Sequence, residues 1–254
     1  MLLKYKINNI NIYEKFFAEK ENDFNVNSLK FIVYRDARVN LKFWKYKQDI
    51  KYTLINDLSK EEDEIFASFT SNIRNEIRKV EKIDNFSYSY NTITMLEFIE
   101  FYNSFAISKG LNPLRERRIK KYAGNLFYLS AYLKDKLTNV QVYIVDKENK
   151  IVRLLYSVST IHSLEDKQRR KNIGFINKFL HWQAISYFKK NNFLIFDWGG
   201  YGNDPNNKTL AGIDKFKKSF GGEIIEIYDY YSIPFFILKS IKNKIGLQCS
   251  EFTE

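Results

Sequence analysis

Phe193-Leu194-Ile195-Phe196 is an unbroken apolar run that ends on Asp197-Trp198-Gly199-Gly200. A half-exposed strand would alternate apolar with polar residues, so a continuous run of this length reads as a central strand covered on both faces. Covering both faces takes a layer of helices on each side, which commits the chain to an α/β architecture. In open sheets of that kind ligands bind beyond the carboxyl ends of the strands, and this strand carries Asp197 to that edge. Two glycines after it let a substrate approach the backbone closely. The plainer alternative is a carboxylate that caps a turn and glycines that make the bend.

The rest of the chain supplies the layers. Residues 29–56 alternate in the manner of strands, as in Phe31-Ile32-Val33-Tyr34 and Tyr52-Thr53-Leu54-Ile55. Ser59 and Glu62 have capping-box spacing, and Ile65, Phe66, Phe69, Ile73, Ile77 and Val80 then predict the seam of one helix. Phe86–Tyr90 reads as a short strand. Thr94 with Glu97 opens a second helix, which Gly110 closes. Residues 126–161 hold three extended runs separated by turn residues, an antiparallel meander. Asn172 is the predicted cap of a mostly apolar, buried helix. After the central strand come a helix around Leu210–Phe220, the pair Gly221-Gly222, a strand to Tyr231 and a last helix. The expected fold is a mixed sheet flanked by helices.

The composition allows 254 residues with 44% hydrophobic content to bury one large core or two small ones. A single cysteine, Cys249, makes no internal disulfide, which fits a reducing compartment. Met1-Leu2-Leu3-Lys4-Tyr5-Lys6 lacks the apolar core of a secretion signal. No stretch nears the roughly 20 apolar residues that span a bilayer. A cytoplasmic location is expected, compatible with peripheral contact at a membrane. The net charge of +11 suits phosphate-bearing ligands, although an AT-rich genome would also enrich lysine.

Local clusters narrow the chemistry. In Gly212–Gly222, Ile213, Phe216 and Phe220 form one helical face, with Lys217 beside it and Lys218 spaced to pair with Asp214. A lysine at a pocket rim can stabilise a developing oxyanion; in the alternative it is simply solvated. Arg74 and Arg78 share a stripe next to the seam, where two guanidiniums can hold phosphate oxygens or merely face water. Of two histidines, His162 follows the meander and His181 falls inside the buried helix as a hydrogen-bonded core residue. Neither has a partner at metal-ligand spacing, so no metal is expected. The absence of a G-x-S-x-G elbow and of a P-loop disfavours the corresponding hydrolases and NTPases.

Asn72–Glu81, Asn177-Lys178-Phe179-Leu180-His181-Trp182, Phe196-Asp197-Trp198-Gly199-Gly200 and Phe216-Lys217-Lys218-Ser219-Phe220-Gly221-Gly222 occur in the order of a known family. Over residues 52–230 the chain resembles the FemABX-like branch of the acetyltransferase superfamily, and the last two motifs are the more specific. The resemblance implies an acetyltransferase-like fold, with residues 1–83 as a reduced first half and 84–254 as the main domain. It also implies transfer of an acyl or aminoacyl group to an amine of a phosphate-bearing sugar or peptide precursor in cell-envelope or surface-polysaccharide biosynthesis. Attack would be direct, without a covalent enzyme intermediate. Asp197 would accept a proton or orient the amine, Lys217 would stabilise the oxyanion, and Phe216 would shape the pocket. Tyr201 and the 203–207 loop would contact the acceptor, and Arg74 and Arg78 its phosphate. Arg169-Arg170-Lys171-Asn172-Ile173-Gly174 stands where coenzyme A enzymes of the superfamily hold a pyrophosphate. Here Arg170 to Gly174 is one residue longer than their spacing, and Ile176 replaces the second small residue. The donor therefore stays open between acyl-coenzyme A, aminoacyl-tRNA and acyl carrier protein. A noncatalytic tRNA- or nucleotide-binding protein of the same fold is the rival, since basic helices and 17% aromatic residues suit stacking on nucleic acid.

Overall fold

The computed structural model describes residues 1–7, 9–25, 30–163, 165–204 and 206–244, and packing divides the chain into two units. The first consists of residues 1–53 and 225–254, the second of residues 54–224. Cys249 and the His162 side chain lie outside what is described.

The first unit holds β1 (Leu2–Ile7), β2 (Ile10–Phe16), β3 (Phe31–Ala37), most of β4 (Tyr46–Asp57) and most of β10 (Glu223–Ser232), followed by α7 (Ile233–Lys244). Their order is β1-β2-β3-β10-β4. β1 and β2 make an antiparallel hairpin, whereas β2 and β3 run parallel. One face packs Phe24, Tyr34, Tyr46 and Tyr230 together; the other packs Ile12, Val33 and Tyr231 against Phe235 of α7.

The second unit holds α1 (Glu62–Ala67), α2 (Ser71–Arg78), β5 (Phe86–Tyr90), α3 (Met95–Lys109), α4 (Glu116–Lys120), β6 (Leu126–Leu133), β7 (Lys136–Asp146), β8 (Ile151–Ser159), α5 (Lys167–Lys190), β9 (Ile195–Tyr201) and α6 (Lys208–Lys218). The order β4-β9-β8-β7-β6-β5 is antiparallel through the β5–β8 meander and parallel where α5 carries β8 over to β9. Helices cover both faces. Ile73 and Ile77 of α2, Ile176, Leu180, Ala184 and Phe188 of α5, and Phe220 pack on Leu129, Tyr143, Val152, Phe196 and Trp198. Phe98 of α3 packs on Tyr128, Val140, Val142 and Val158. Fully burying each large apolar side chain contributes about 1.5–3 kcal/mol, which explains why the apolar patterns located these elements. The mixed, helix-flanked sheet expected from the sequence is the observed one.

The Thr94–Glu97 capping box is present in both directions, and Gly110 ends α3 in the left-handed region at φ +64°. Four local expectations are corrected. Ser59 bonds Asp57 instead of opening a helix, and the single predicted helix breaks into α1 and α2. The break is built, because Thr70 N donates to Ser219 O and Arg74 Nη1 donates to the carbonyls of Ala67 and Phe69. α5 begins five residues before Asn172, capped by the Asp166 side chain. β9 starts at Ile195 and runs through the glycines to Tyr201, leaving Leu194 46% exposed. On α6 it is Asp214 that is buried and Ile213 that is exposed.

Candidate active site

Strands β8 and β9 are in parallel register only over Ile151–Arg153 and Ile195–Asp197. β8 continues to Ser159 and β9 to Tyr201, so the two part just beyond the pair Arg153 and Asp197. The cause is local. Asp197 is 1% exposed, and its Oδ1 accepts a 2.8 Å bond from Gly199 N two residues along the same strand. Gly199 then takes φ +70°, and a Cβ there would stand 2.9 Å from Leu154 O. Both the left-handed backbone and the close approach demand glycine. Beyond this motif the regular pairing of the two parallel strands ceases, which leaves a gap in the ladder with Gly199 still against β8.

Lys217 reaches this gap from α6. Its Nζ donates to Gly199 O at 3.2 Å and to Gly200 O. Burial lowers its pKa from 10.5 to about 8; Asp197 and Asp214 oppose that shift and Arg153 adds to it. α6 is held in place at both ends. Asp214 accepts from Gly202 N and Asn203 N, both at 3.0 Å, which ties the helix to the end of β9. At its other end Gly221 and Gly222 adopt φ +72° and +77°. A Cβ would come within 2.4 Å of Ser68 Oγ at the first and 2.3 Å of Ile55 O at the second. Lys218, by contrast, donates to Gly222 O at the exposed surface.

The wall of the gap formed by α5 carries a polar seam. Ser157 of β8 is exposed, bonds Asn177 Oδ1 at 3.2 Å and lies 3.5 Å from His181 Nε2. Gln141 of β7 donates to Asn177 O and Oδ1. His181 is fully buried with its ring 4.8 Å from Trp198, and Phe216 and Phe220 complete the aromatic box. Burial, reinforced by the charges of Lys217 and Lys178, drives its pKa down to about 3. The imidazole is therefore neutral, and its Nδ1 has no hydrogen-bond partner.

The predicted site residues fall into three groups. Asp197, Lys217, Phe216 and Tyr201 converge on β9 and α6, with Phe216 and Tyr201 packed at the core's edge. Of Arg74 and Arg78 on α2, the first bonds carbonyls at the end of α1, and the second lies 5.5 Å over the Phe66 ring. Arg169, Arg170 and Gly174 are inside the first two turns of α5. The amides that begin that helix, those of Gln168 and Arg169, already bond the Asp166 carboxylate. Among the described residues, no group of three His, Cys, Asp or Glu side chains is arranged to hold a metal. Ser157 and Gln141 had no role in the sequence reading, Asn177 entered it only within a motif, and Asp214, spaced there to pair with Lys218, instead accepts from Gly202 N and Asn203 N. The one available signal was the pair Asn177 and His181, one turn apart among the apolar positions of α5.

The mixed, helix-covered sheet is an acetyltransferase-like fold, shared with FemX and its like among solved structures. Among solved structures the chain is similar to FemX, at a TM-score of 0.63 and 13% identity, over 95% of this chain and 86% of that one. It is also similar to the C-terminal domain of a protein assigned as a lysylphosphatidylglycerol synthetase from Agrobacterium fabrum (TM-score 0.57, 10% identity, covering 96% and 84%). L-PGS from Bacillus licheniformis follows at 0.56, 10%, 95% and 84%. No protein-family model matches the sequence, and no curated protein matches it.

Proposed function

We propose that this protein is an N-acyltransferase that moves an acyl or aminoacyl group onto an amine of a phosphate-bearing sugar or peptide precursor, in cell-envelope or surface-polysaccharide biosynthesis. The observation that carries the reading is Lys217, held on the Gly199 and Gly200 carbonyls where β8 and β9 part. An ammonium has three N–H donors. Two are committed to the strand, and the third is available to the oxygen of a carbonyl under attack. That oxygen gains charge only in the transition state, so a fixed cation there accelerates the chemistry more than it tightens binding.

Attack is direct: the amine nitrogen bonds the donor carbonyl carbon, the tetrahedral oxyanion collapses, and the ester or thioester oxygen or sulfur leaves. The amine's proton passes to Asp197 or through solvent. The similarity to a protein named for making lysylphosphatidylglycerol supports an aminoacyl donor. So does the Asp166 carboxylate at the start of α5, whose negative charge opposes a pyrophosphate at that helix terminus.

The test supplies aminoacyl-tRNA, acyl-coenzyme A and acyl carrier protein thioesters in parallel with amino-sugar nucleotides and peptide precursors. Mass spectrometry reads the N-acylated product. Turnover with an aminoacyl-tRNA is the expected result. No transfer from any donor, together with RNA affinity that falls steeply with salt, would make the protein a noncatalytic nucleic-acid binder.

A further inference from the structure

The first unit carries an apolar stripe that the transfer chemistry does not use. On α7, Ile233, Ile237 and Ile241 recur every four residues and are 39%, 52% and 48% exposed. That spacing sets all three on one side of the helix. Its other side is anchored, since Phe235 is buried and stacked on Tyr231 and Lys239 Nζ lies 4.3 Å over the Tyr231 ring. The stripe begins at a loop, where Ile233 N donates to Lys45 O at 3.1 Å. One residue earlier in that loop, Trp44 is 84% exposed, with the Lys45 ammonium 4.9 Å from its ring. Residues 37–48 and 233–244 together hold seven Lys and Arg and no Asp or Glu. The next acid along the chain, Asp49, interacts with Lys239.

A water-exposed indole joined to three exposed isoleucines is a costly surface unless something covers it. The surrounding charge is mostly positive, which selects a partner rich in negative charge. Indole rings favour headgroup depth, an apolar helical stripe favours the boundary with the acyl chains, and lysines favour anionic headgroups. We propose that α7 and the 38–45 loop form a docking surface for an anionic membrane, with the helix lying along the interface. Twelve residues make a helix of about 18 Å, which lies on a bilayer and does not cross it. Docking is independent of the transfer reading, and either can fail alone.

The full chain is sedimented with vesicles of phosphatidylglycerol and phosphatidylcholine, and with phosphatidylcholine alone. Salt is varied from about 0.1 M to about 1 M, which shortens the screening length from about 10 Å to about 3 Å. Binding is expected only to the anionic vesicles and only at the lower salt. A blue shift of tryptophan emission should accompany it, absent in Trp44→Ser. Ile237→Asn with Ile241→Asn should weaken binding at least about tenfold. Lys42→Gln and Lys45→Gln should each weaken it about fivefold. These side chains are exposed or half-exposed, so melting temperatures should hold and a loss of binding reports the surface itself. No binding to anionic vesicles, or binding that survives the apolar substitutions, overturns the proposal. So does a concentration-dependent dimer abolished by the same changes, which would make a second copy of the chain the occupant.

Discussion

Each unit buries charge, and each does so differently. In the first, Arg35 bonds Glu14 at 2.8 Å and Asp229 at 2.7 Å, Lys51 meets Asp229 at 2.7 Å, and the Tyr231 hydroxyl closes the group. Asp229 is fully buried, yet the cations of Arg35 and Lys51 overcome the burial and hold its pKa below the usual carboxylate range. In the second unit Lys217 is bonded to two main-chain carbonyls, and beside it stands a neutral histidine with one ring nitrogen unmatched. Opposite charges that meet directly neutralise one another and fix a fold. A charge bonded to main-chain carbonyls, with carboxylates near it but not paired to it, keeps part of its field for something that arrives later. The first cluster is built to be complete, the second to be completed.

The largest test of that contrast is Arg35→Met. Removing one partner strands buried carboxylates and should cost about 3–5 kcal/mol of stability, read by denaturant unfolding. A loss below about 1 kcal/mol would be the behaviour of a solvated pair and would erase the distinction. Lys217→Met should instead leave the melting temperature within a few degrees and lower kcat by roughly 10²–10³. Lys218→Met, outside the gap, should turn over as the parent does. Equal, small effects of the two would return Lys217 to the ordinary lysines.

His181 sharpens the comparison through pH. Its folded pKa, about 3, lies below the ordinary 6.5. The unfolded chain therefore takes up the proton first as pH falls. Stability is full above pH 6.5 and is lost progressively toward pH 3. Between pH 6.5 and 5 the loss should be about 1.6 kcal/mol. In His181→Leu this part of the acid sensitivity should vanish, which melting curves across that range can check. Lys217 gives a smaller and opposite signal in kinetics. Its ammonium deprotonates near pH 8, so log kcat/KM should fall by one unit per pH unit above that point, with the acceptor amine already neutral. Lys217→Arg should move that limb beyond the accessible range even where it slows turnover. Smallest of all is Arg78→Ala, which removes a cation from the face of Phe66 at about 0.5–1 kcal/mol. A rise in acceptor KM with unchanged stability would give Arg78 the phosphate role that the sequence suggested.

What the sequence made legible was what apolar burial and glycine geometry dictate. Phe196, Val152 and Tyr143 sit in a core whose pattern is periodic, so the strands and their helix layers could be placed. Gly110, Gly199 and the Gly221-Gly222 pair occupy left-handed backbone that few other residues adopt. Long-range polar pairing was hidden. Asp214 has a surface residue's spacing on its helix, and only the fold brings the amides of Gly202 and Asn203 to it. Nothing local reveals that the carbonyls at the end of α1 come to the Arg74 guanidinium. The start of α5 was misplaced because Asn172 and Asp166 are equally good caps, and the choice between them is tertiary.

The link between Asp214 and the end of β9 also bears on how such a protein could diversify. Eighteen residues of chain leave Gly199 and come back to its carbonyl through Lys217. Within that circuit Asp214 clamps Gly202 and Asn203, and Asn207 independently caps the helix through Leu210 N. The stretch between the clamp and the cap is thus insulated from the lysine. Insertions there can recast the rim of the gap for a different acceptor while the charged centre stays in register, so that new specificities can evolve without re-inventing the reaction.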